Sequence, residues 1–258
     1  MINDLKDPAH AGIDHEVQKQ CVQGHDSIVI VCQREGNGND RVRSRLRDFF
    51  LPAETKLPEC GKIQTKRAEH MIIGAVMVPH PPIAVAEIGK GEEKKIQKTL
   101  DSFAKVSETI AELKPDTIVM ITPHVILYRD WFNISEGSHA YGDFSRYGAG
   151  SVKFETDYDE TLSRRISELC EAEGIPAGTQ YDRDHDLDQG TMVPLYFINQ
   201  KYRNYKLVRI GQSGLPLSVH YRFGMCIRKA AQESDKRILI VASGDLSHCE
   251  KEDGPYGY

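Results

Sequence analysis

Residues 71–83 read MIIGAVMVPHPPI, an apolar run that is rich in branched side chains and ends in Val78-Pro79-His80. A short, continuous apolar run of this kind is typical of a strand that is buried on both faces of a sheet. The same pattern returns in TIVMIT at 117–122 and in RILIVA at 237–242. These three runs predict three strands at the centre of the fold.

Helices are predicted between these strands, because apolar residues there recur three or four positions apart. One helix covers 92–113 and ends before Pro115, since proline cannot continue the helical hydrogen-bond ladder. A second runs from about Asp159 to Ala172, a further strand covers 207–210, and Ser218 is expected to cap a third helix. This alternation predicts a three-layer α/β/α domain with a mixed, largely parallel sheet.

Length and charge exclude several classes of protein. The 258 residues suit a soluble globular chain, and no apolar run approaches the roughly 20 residues that span a membrane. No secretory signal is visible, so we expect a cytoplasmic location. Lysine and arginine total 33 against 38 acidic residues, with no dense basic block, which argues against nucleic acid as a partner. The six cysteines form no C-x-x-C pair, which favours reduced thiols.

The chain divides into two unequal parts at residue 71. Within residues 1–70 only Ser27 to Cys32 has the pattern of a strand, and the other residues show no apolar period. We therefore expect 1–70 to be a poorly patterned N-terminal extension and 71–258 to be the functional α/β domain, with Met71 as its true start. A small N-terminal subdomain is the alternative.

Three histidines follow three of the predicted strands. His80 and His124 each come after a proline, and His248 lies five residues after Ser243. Ligands of open α/β sheets bind beyond the carboxyl ends of the strands, so we expect these imidazoles to meet at one edge. Neutral imidazole is a common ligand of iron, zinc and copper. A single histidine at a strand end is more often a hydrogen-bonded loop residue, but three such histidines favour a metal site.

The other histidines carry weaker signals. His139 is expected to lie in a solvated loop, and His220 is expected to be solvated in the first turn of a helix. His185 lies in DRDHDLDQ at 182–189, which is either a surface turn or a source of groups near the site. Within that segment, Asp188 and Gln189 are expected to lie nearest the site.

The domain from 71 to 258 resembles the class III extradiol ring-cleavage dioxygenases, the superfamily of the protocatechuate 4,5-dioxygenase catalytic subunit. Within that superfamily it most resembles the branch named in the AmmeMemoRadiSam system. The resemblance rests on VPHPPI, EIGKGEEKKIQKT, LKPDTIVMITPH, AYGDFSRYGA, MVPLYFIN, SGDLSH and DGPYGY. Singly, each Pro-His step is a weak signal, whereas the motifs together are specific.

The resemblance implies that His80 and His124 bind a non-haem Fe(2+) and that His248 is the catalytic acid and base. We also expect Asp188, Gln189 and Asp245 to support these ligands or contact the substrate, which the resemblance implies is a small aromatic ring cleaved with O2. Zinc or another divalent metal stays open. The family's third ligand is a glutamate that lies further along than Tyr258, so this ligand is unassigned and we expect the domain to be incomplete at its C-terminus.

One departure from the family pattern opens a second reading. The family has Asp-His-Gly where this chain has Asp188-Gln189-Gly190, and glutamine cannot relay a proton at neutral pH. The alternatives are a metal-binding, non-oxygenase protein of the Memo type that works with a radical-SAM partner, and a zinc-dependent hydrolase. The partner protein would be that radical-SAM enzyme or a second copy of the chain.

Overall fold

The computed structural model describes residues 32–33, 72–182 and 186–244. The strands in this part are β1 (Cys32–Gln33), β2 (Ile72–Val78), β3 (Thr117–Thr122), β4 (Phe132–Asn133), β5 (His139–Phe144), β6 (Ala149–Asp157), β7 (Ala177–Gly178), β8 (Lys206–Gly211) and β9 (Ile238–Ser243). Five of them form the central sheet in the order β1-β2-β9-β3-β8. β2, β9, β3 and β8 run parallel, and β1 pairs antiparallel with β2. The predicted mixed, largely parallel sheet is confirmed.

Helices cover both faces of this sheet. They are α1 (Ala86–Gly89), α2 (Gln97–Leu113), α3 (Glu160–Ala172), α4 (Gln189–Ile198) and α5 (Leu217–Glu233). Buried residues of α2 and α4 belong to one hydrophobic cluster, and buried residues of α3 and α5 belong to the other. The arrangement is the predicted three-layer α/β/α fold. None of the described helices is long and apolar enough to span a lipid bilayer.

Alternating side chains of the central strands separate the two clusters. In β9, Leu239 and Val241 join the cluster beneath α2 and α4, whereas Ile238 joins the cluster beneath α3 and α5. In β3, Met120 and Val119 divide in the same way. Successive side chains of a strand point to opposite faces, so a strand that is covered on both sides must be apolar throughout. This requirement explains why the runs in the sequence are continuous.

The carboxylate of Asp159 joins three elements of the fold. It caps α3 by accepting a hydrogen bond from the Leu162 N–H at 3.2 Å. It also accepts from Thr117 Oγ1 at 2.6 Å, at the start of β3, and from Lys236 Nζ at 2.6 Å, just before β9. Burial by itself would raise the pKa of this carboxyl, but Lys236 and these hydrogen bonds outweigh burial and hold the pKa below its usual value.

Two helix starts differ from the predictions. α5 begins at Leu217 with Pro216 as its N-cap residue and no side-chain cap, so the prediction that Ser218 caps it is wrong. Instead, the Val219 N–H donates to the Pro216 carbonyl oxygen at 2.8 Å, so this amide of the first turn has a partner other than a capping side chain. Residues 92–96 form a 3-10 helix rather than the first turn of α2. The predicted strand Ser27 to Cys32 lies outside the described residues except for Cys32, which begins β1.

Candidate metal site

Two imidazoles meet beyond the carboxyl ends of the central strands. His80 follows β2 and His124 follows β3, and their Nε2 atoms are 2.9 Å apart. The rings are nearly perpendicular, at 86°, with their centroids separated by 4.7 Å. His80 is buried, with 3% of its surface exposed, whereas His124 is exposed. The site therefore has one ring anchored in the core and the other at the surface.

The hydrogen bonds of Ser243 determine which nitrogen of His80 is protonated. The Ser243 hydroxyl donates its proton to the Gly190 carbonyl oxygen at 2.5 Å, so its oxygen must accept from His80 Nδ1, 2.9 Å away. The Nδ1 atom of His80 therefore carries the proton, and Nε2 presents its lone pair toward His124. Metal-binding histidines are commonly oriented by such a hydrogen bond from the second ring nitrogen.

The separation of the Nε2 atoms suits two ligands of one metal ion. With bonds of roughly 2.1 Å and an angle of about 90° at the metal, two nitrogen ligands lie about 3.0 Å apart. A proton shared between the two nitrogens would give a hydrogen bond of similar length, and a metal ion would replace that proton. Among the described residues, no third histidine, cysteine, aspartate or glutamate completes a metal-binding group with the pair.

Asp188 lies close to the pair but uses its oxygens elsewhere. It caps α4, where Oδ1 accepts from the Thr191 N–H at 3.0 Å and Oδ2 accepts from Thr191 Oγ1 at 2.8 Å. Its Oδ1 also accepts from Thr122 Oγ1 at 2.7 Å, and Thr122 Oγ1 in turn accepts from the His124 N–H at 3.2 Å. Asp188 therefore supports the backbone of His124 rather than pointing a carboxylate at the imidazoles.

Gln189 and Gly190 form the wall of the site beside His124. The side-chain amide nitrogen of Gln189 is 3.4 Å from His124 Nε2. A Cβ on Gly190 would lie 2.5 Å from Thr122 Oγ1 and 3.1 Å from His124 Cδ2. Only glycine allows α4 to approach the end of β3 this closely, so the first turn of this helix packs directly on the site.

The structure places the remaining sequence candidates in different ways. Asp245, His248 and His185 lie outside the described residues, so their roles stay predictions. The prediction that His139 lies in a solvated loop is wrong, because it begins β5 and its ring nitrogens contact Glu155 at 2.8 Å and Asp157 at 2.7 Å. These two hydrogen bonds raise the pKa of His139.

His220 also differs from expectation, and Ser243 has a contact that sequence reasoning did not predict. His220 is half-buried rather than solvated, and its ring packs edge-on against Phe132 with centroids 4.7 Å apart. Sequence reasoning gave no role to Ser243, although it ends the strand that lies between the two histidine-bearing strands. Ser243 is the first residue of the SGDLSH motif at 243–248, and this position was the signal that the sequence offered.

Comparison with known proteins identifies the family of this α/β domain. A family model described as the catalytic LigB subunit of aromatic ring-opening dioxygenase matches residues 74–258. The chain belongs to the LigB family. The LigB match contains His80, His124 and every described strand from β3 to β9. LigB membership relates the chain to dioxygenases that open aromatic rings.

Three relatives of this LigB chain show how far the likeness extends. Protein CA_C1420 of Clostridium acetobutylicum is 41% identical over 192 residues, which are 72% of this chain and 41% of that protein. The 2-aminophenol 1,6-dioxygenase beta subunit of a Pseudomonas species is 26% identical over 208 residues, 71% of this chain and 65% of that subunit. The 3,4-dihydroxyphenylacetate 2,3-dioxygenase of Escherichia coli is 22% identical over 184 residues, 67% of this chain and 65% of that enzyme. The chain thus spans less than two thirds of each relative.

Proposed function

We propose that this chain binds a divalent metal through His80 and His124 and belongs to a dioxygenase that opens an aromatic ring. The observation that carries the proposal is the 2.9 Å separation of the two Nε2 atoms at the carboxyl edge of a parallel sheet. Membership of the LigB family supports the same assignment. The metal we propose is Fe(2+), with zinc or another divalent ion as the alternative.

The proposed substrate class is an aromatic ring with two adjacent oxygen or nitrogen substituents. The names of two relatives contain 2-aminophenol and 3,4-dihydroxyphenylacetate, which share this feature. The reaction breaks the ring bond outside the substituted pair, and both atoms of O2 enter the product, so no external reductant is needed. Iron bound by His80 and His124 would supply electron transfer between the aromatic ring and O2.

Side chains of this site have separate proposed roles in that reaction. Ser243 fixes the tautomer of His80 so that its Nε2 lone pair is available to the metal. The amide of Gln189, beside His124, can donate a hydrogen bond to a substrate oxygen. His248 is proposed to accept and return the proton of the substrate hydroxyl, because an imidazole can do both near neutral pH. The third ligand is left unassigned.

The test is a reaction under controlled oxygen. Protein loaded with Fe(2+) without oxygen would be mixed with catechol, 2-aminophenol or 3,4-dihydroxyphenylacetate, and O2 would then be admitted. We expect one O2 to be consumed per ring opened, with O2 measured by an oxygen electrode and the ring-opened product by its absorbance. Both signals should be lost in His124→Ala. Iron-loaded protein that binds these rings but forms no ring-opened product would reject the oxygenase.

A second candidate function is favoured by Gln189. A residue that cannot relay a proton lies 3.4 Å from His124 Nε2, and the name of the Clostridium relative states no activity. This candidate is a metal-binding, non-oxygenase member of an AmmeMemoRadiSam system that works with a radical-SAM partner. Gln189→His separates the two candidates: a gain of ring opening favours the oxygenase, and no gain favours the second function.

The proposed partner is another polypeptide. One relative is named as a beta subunit, which supports assembly with a further chain. A second copy of this chain fits the oxygenase, and a radical-SAM enzyme fits the second candidate. Sedimentation of the purified protein, alone and with that enzyme, would distinguish these assemblies.

A further inference from the structure

A buried arginine lies beneath the candidate metal site. Arg209 is part of β8, and only 1% of its surface is exposed. Its Nη1 donates to the Asp186 carbonyl oxygen at 2.6 Å and lies 3.6 Å from Asp188 Oδ2, while its Nη2 lies 3.9 Å from Asp182 Oδ1. A buried guanidinium is tolerated only when hydrogen bonds and opposite charges compensate it. Here the Asp186 carbonyl and the carboxylates of Asp182 and Asp188 supply that compensation.

Asp182 is itself firmly held. Its oxygens accept from Asn133 Nδ2 at 2.9 Å and from the Glu136 N–H at 2.9 Å, and only 5% of its surface is exposed. Asn133 belongs to β4, so this aspartate is fixed to a strand outside the central sheet. Arg209 therefore lies between a fixed aspartate and Asp188, and its charge limits how far Asp188 can move.

A chain of polar contacts leads from Arg209 to the exposed metal ligand. Asp188 accepts from Thr122 Oγ1 at 2.7 Å, and Thr122 Oγ1 accepts from the His124 N–H at 3.2 Å. Thr122 is fully buried, so its hydroxyl is confined between these two partners. His80 has its own support in Ser243, whereas His124 is exposed and depends on this chain.

We propose that Arg209 is a positioning residue that acts through Asp188 and Thr122 to hold the His124 imidazole where it meets His80. The inference rests on the proposed metal-binding function. Arginine suits the role because its planar fork presents donors in several directions, whereas lysine carries one compact charge. Lysine at this position would keep a cation beside the two aspartates but would not reach Asp182, Asp188 and the Asp186 carbonyl together.

The test measures metal affinity rather than turnover. Co2+ and, under nitrogen, Fe2+ would be titrated into the parent chain, Arg209→Lys and Arg165→Lys, and the visible spectrum of the Co2+ form would be recorded. Arg165 is a matched control because it also meets two carboxylates, Glu168 at 2.9 Å and Glu233 at 2.7 Å, but at the exposed surface of α3. We expect a 10- to 100-fold weaker affinity and an altered Co2+ spectrum in Arg209→Lys, and less than a twofold change in the control.

A pair of variants at Thr122 keeps the test decisive if Arg209→Lys fails to fold. Thr122→Val retains the shape but removes the hydroxyl, so we expect it to weaken metal binding 10- to 100-fold. Thr122→Ser restores the hydroxyl and should recover the affinity of the parent. Parent-like affinity and spectrum in a folded Arg209→Lys protein, or in Thr122→Val, would overturn the inference.

Failure of the proposed function gives a different result. A parent protein that binds metal but opens no ring rejects the oxygenase and leaves the positioning role of Arg209 standing. A parent that binds no metal rejects the proposed function itself, and positioning is then measured by hydrogen exchange of the His124 backbone amide. Thr122→Val should speed that exchange, because the amide loses its acceptor, and unchanged exchange would overturn the inference.

Discussion

Replacing Ser243 with alanine tests the support of His80 most directly. The change removes the hydroxyl oxygen that accepts from the Nδ1–H of His80 and the hydroxyl proton that is donated to the carbonyl of Gly190. Loss of a hydrogen bond by a buried group costs about 1–3 kcal/mol, so the two losses together should lower the free energy of unfolding by roughly 2–6 kcal/mol. Once Ser243 no longer accepts from Nδ1, the His80 imidazole can also move its proton to Nε2, which competes with a metal ion for that nitrogen. We therefore expect metal affinity to fall by about 10- to 100-fold.

Ser163→Ala is the matched control for this measurement. Ser163 is as buried as Ser243, at 3% exposure, but its hydroxyl has no hydrogen-bond partner among the described residues, and it lies in α3. Urea unfolding of the metal-free proteins would give the stability difference, and anaerobic Fe2+ titration would give the affinity. Ser163→Ala should leave both close to the parent values. If Ser243→Ala matched this control in both measurements, the reasoning about the tautomer of His80 would be refuted.

Two further predictions concern Gly190 in the wall of the site and the carboxylate of Asp159. Gly190→Ala forces a Cβ to within 2.5 Å of Thr122 Oγ1, so metal affinity should drop at least 10-fold. Gly224→Ala is the control, because a Cβ there meets nothing within 4 Å. It should stabilise α5 by up to about 1 kcal/mol in thermal unfolding and leave metal affinity unchanged. Because the folded pKa of Asp159 lies below the unfolded value of about 3.9, its contribution to stability is complete above that value and is lost as pH falls through the folded pKa. Asp159→Asn should flatten this part of a urea-unfolding pH profile, and a profile as steep as the parent's would contradict the role given to the Lys236 pair.

The central strands could be predicted because their burial on both faces leaves a direct trace in the sequence. Runs such as 72–78 and 117–122 contain almost no polar residues, and the structure confirms both boundaries. The hairpin of β5 and β6 left no such trace. Its strands mix charged residues and glycine with a few apolar side chains, and Phe144 and Phe154 are buried only through packing on the main core. Tertiary packing, rather than local pattern, determines this hairpin.

The convergence of His80 and His124 could also be predicted, since the rule on strand ends requires no knowledge of strand order. The groups that support them depend on that order. Ser243 reaches His80 only because β9 lies beside β2, and Arg209 reaches Asp188 only because β8 lies beside β3. A parallel sheet admits several strand orders with the same apolar runs, so the sequence gives no means of choosing these partners.

The place of β9 in the sheet governs when this site can form as the chain is made. β2 and β3 are not neighbours, and each pairs with β9, the last described strand along the chain. Strands two positions apart in a sheet are separated by about 10 Å, and β9 fills that interval. A nascent chain that stops short of residue 238 has both histidines but no strand to hold them in register. The pair therefore assembles only after the ribosome has released β9, so a metal bound as we propose would be acquired late in synthesis rather than at the first histidine.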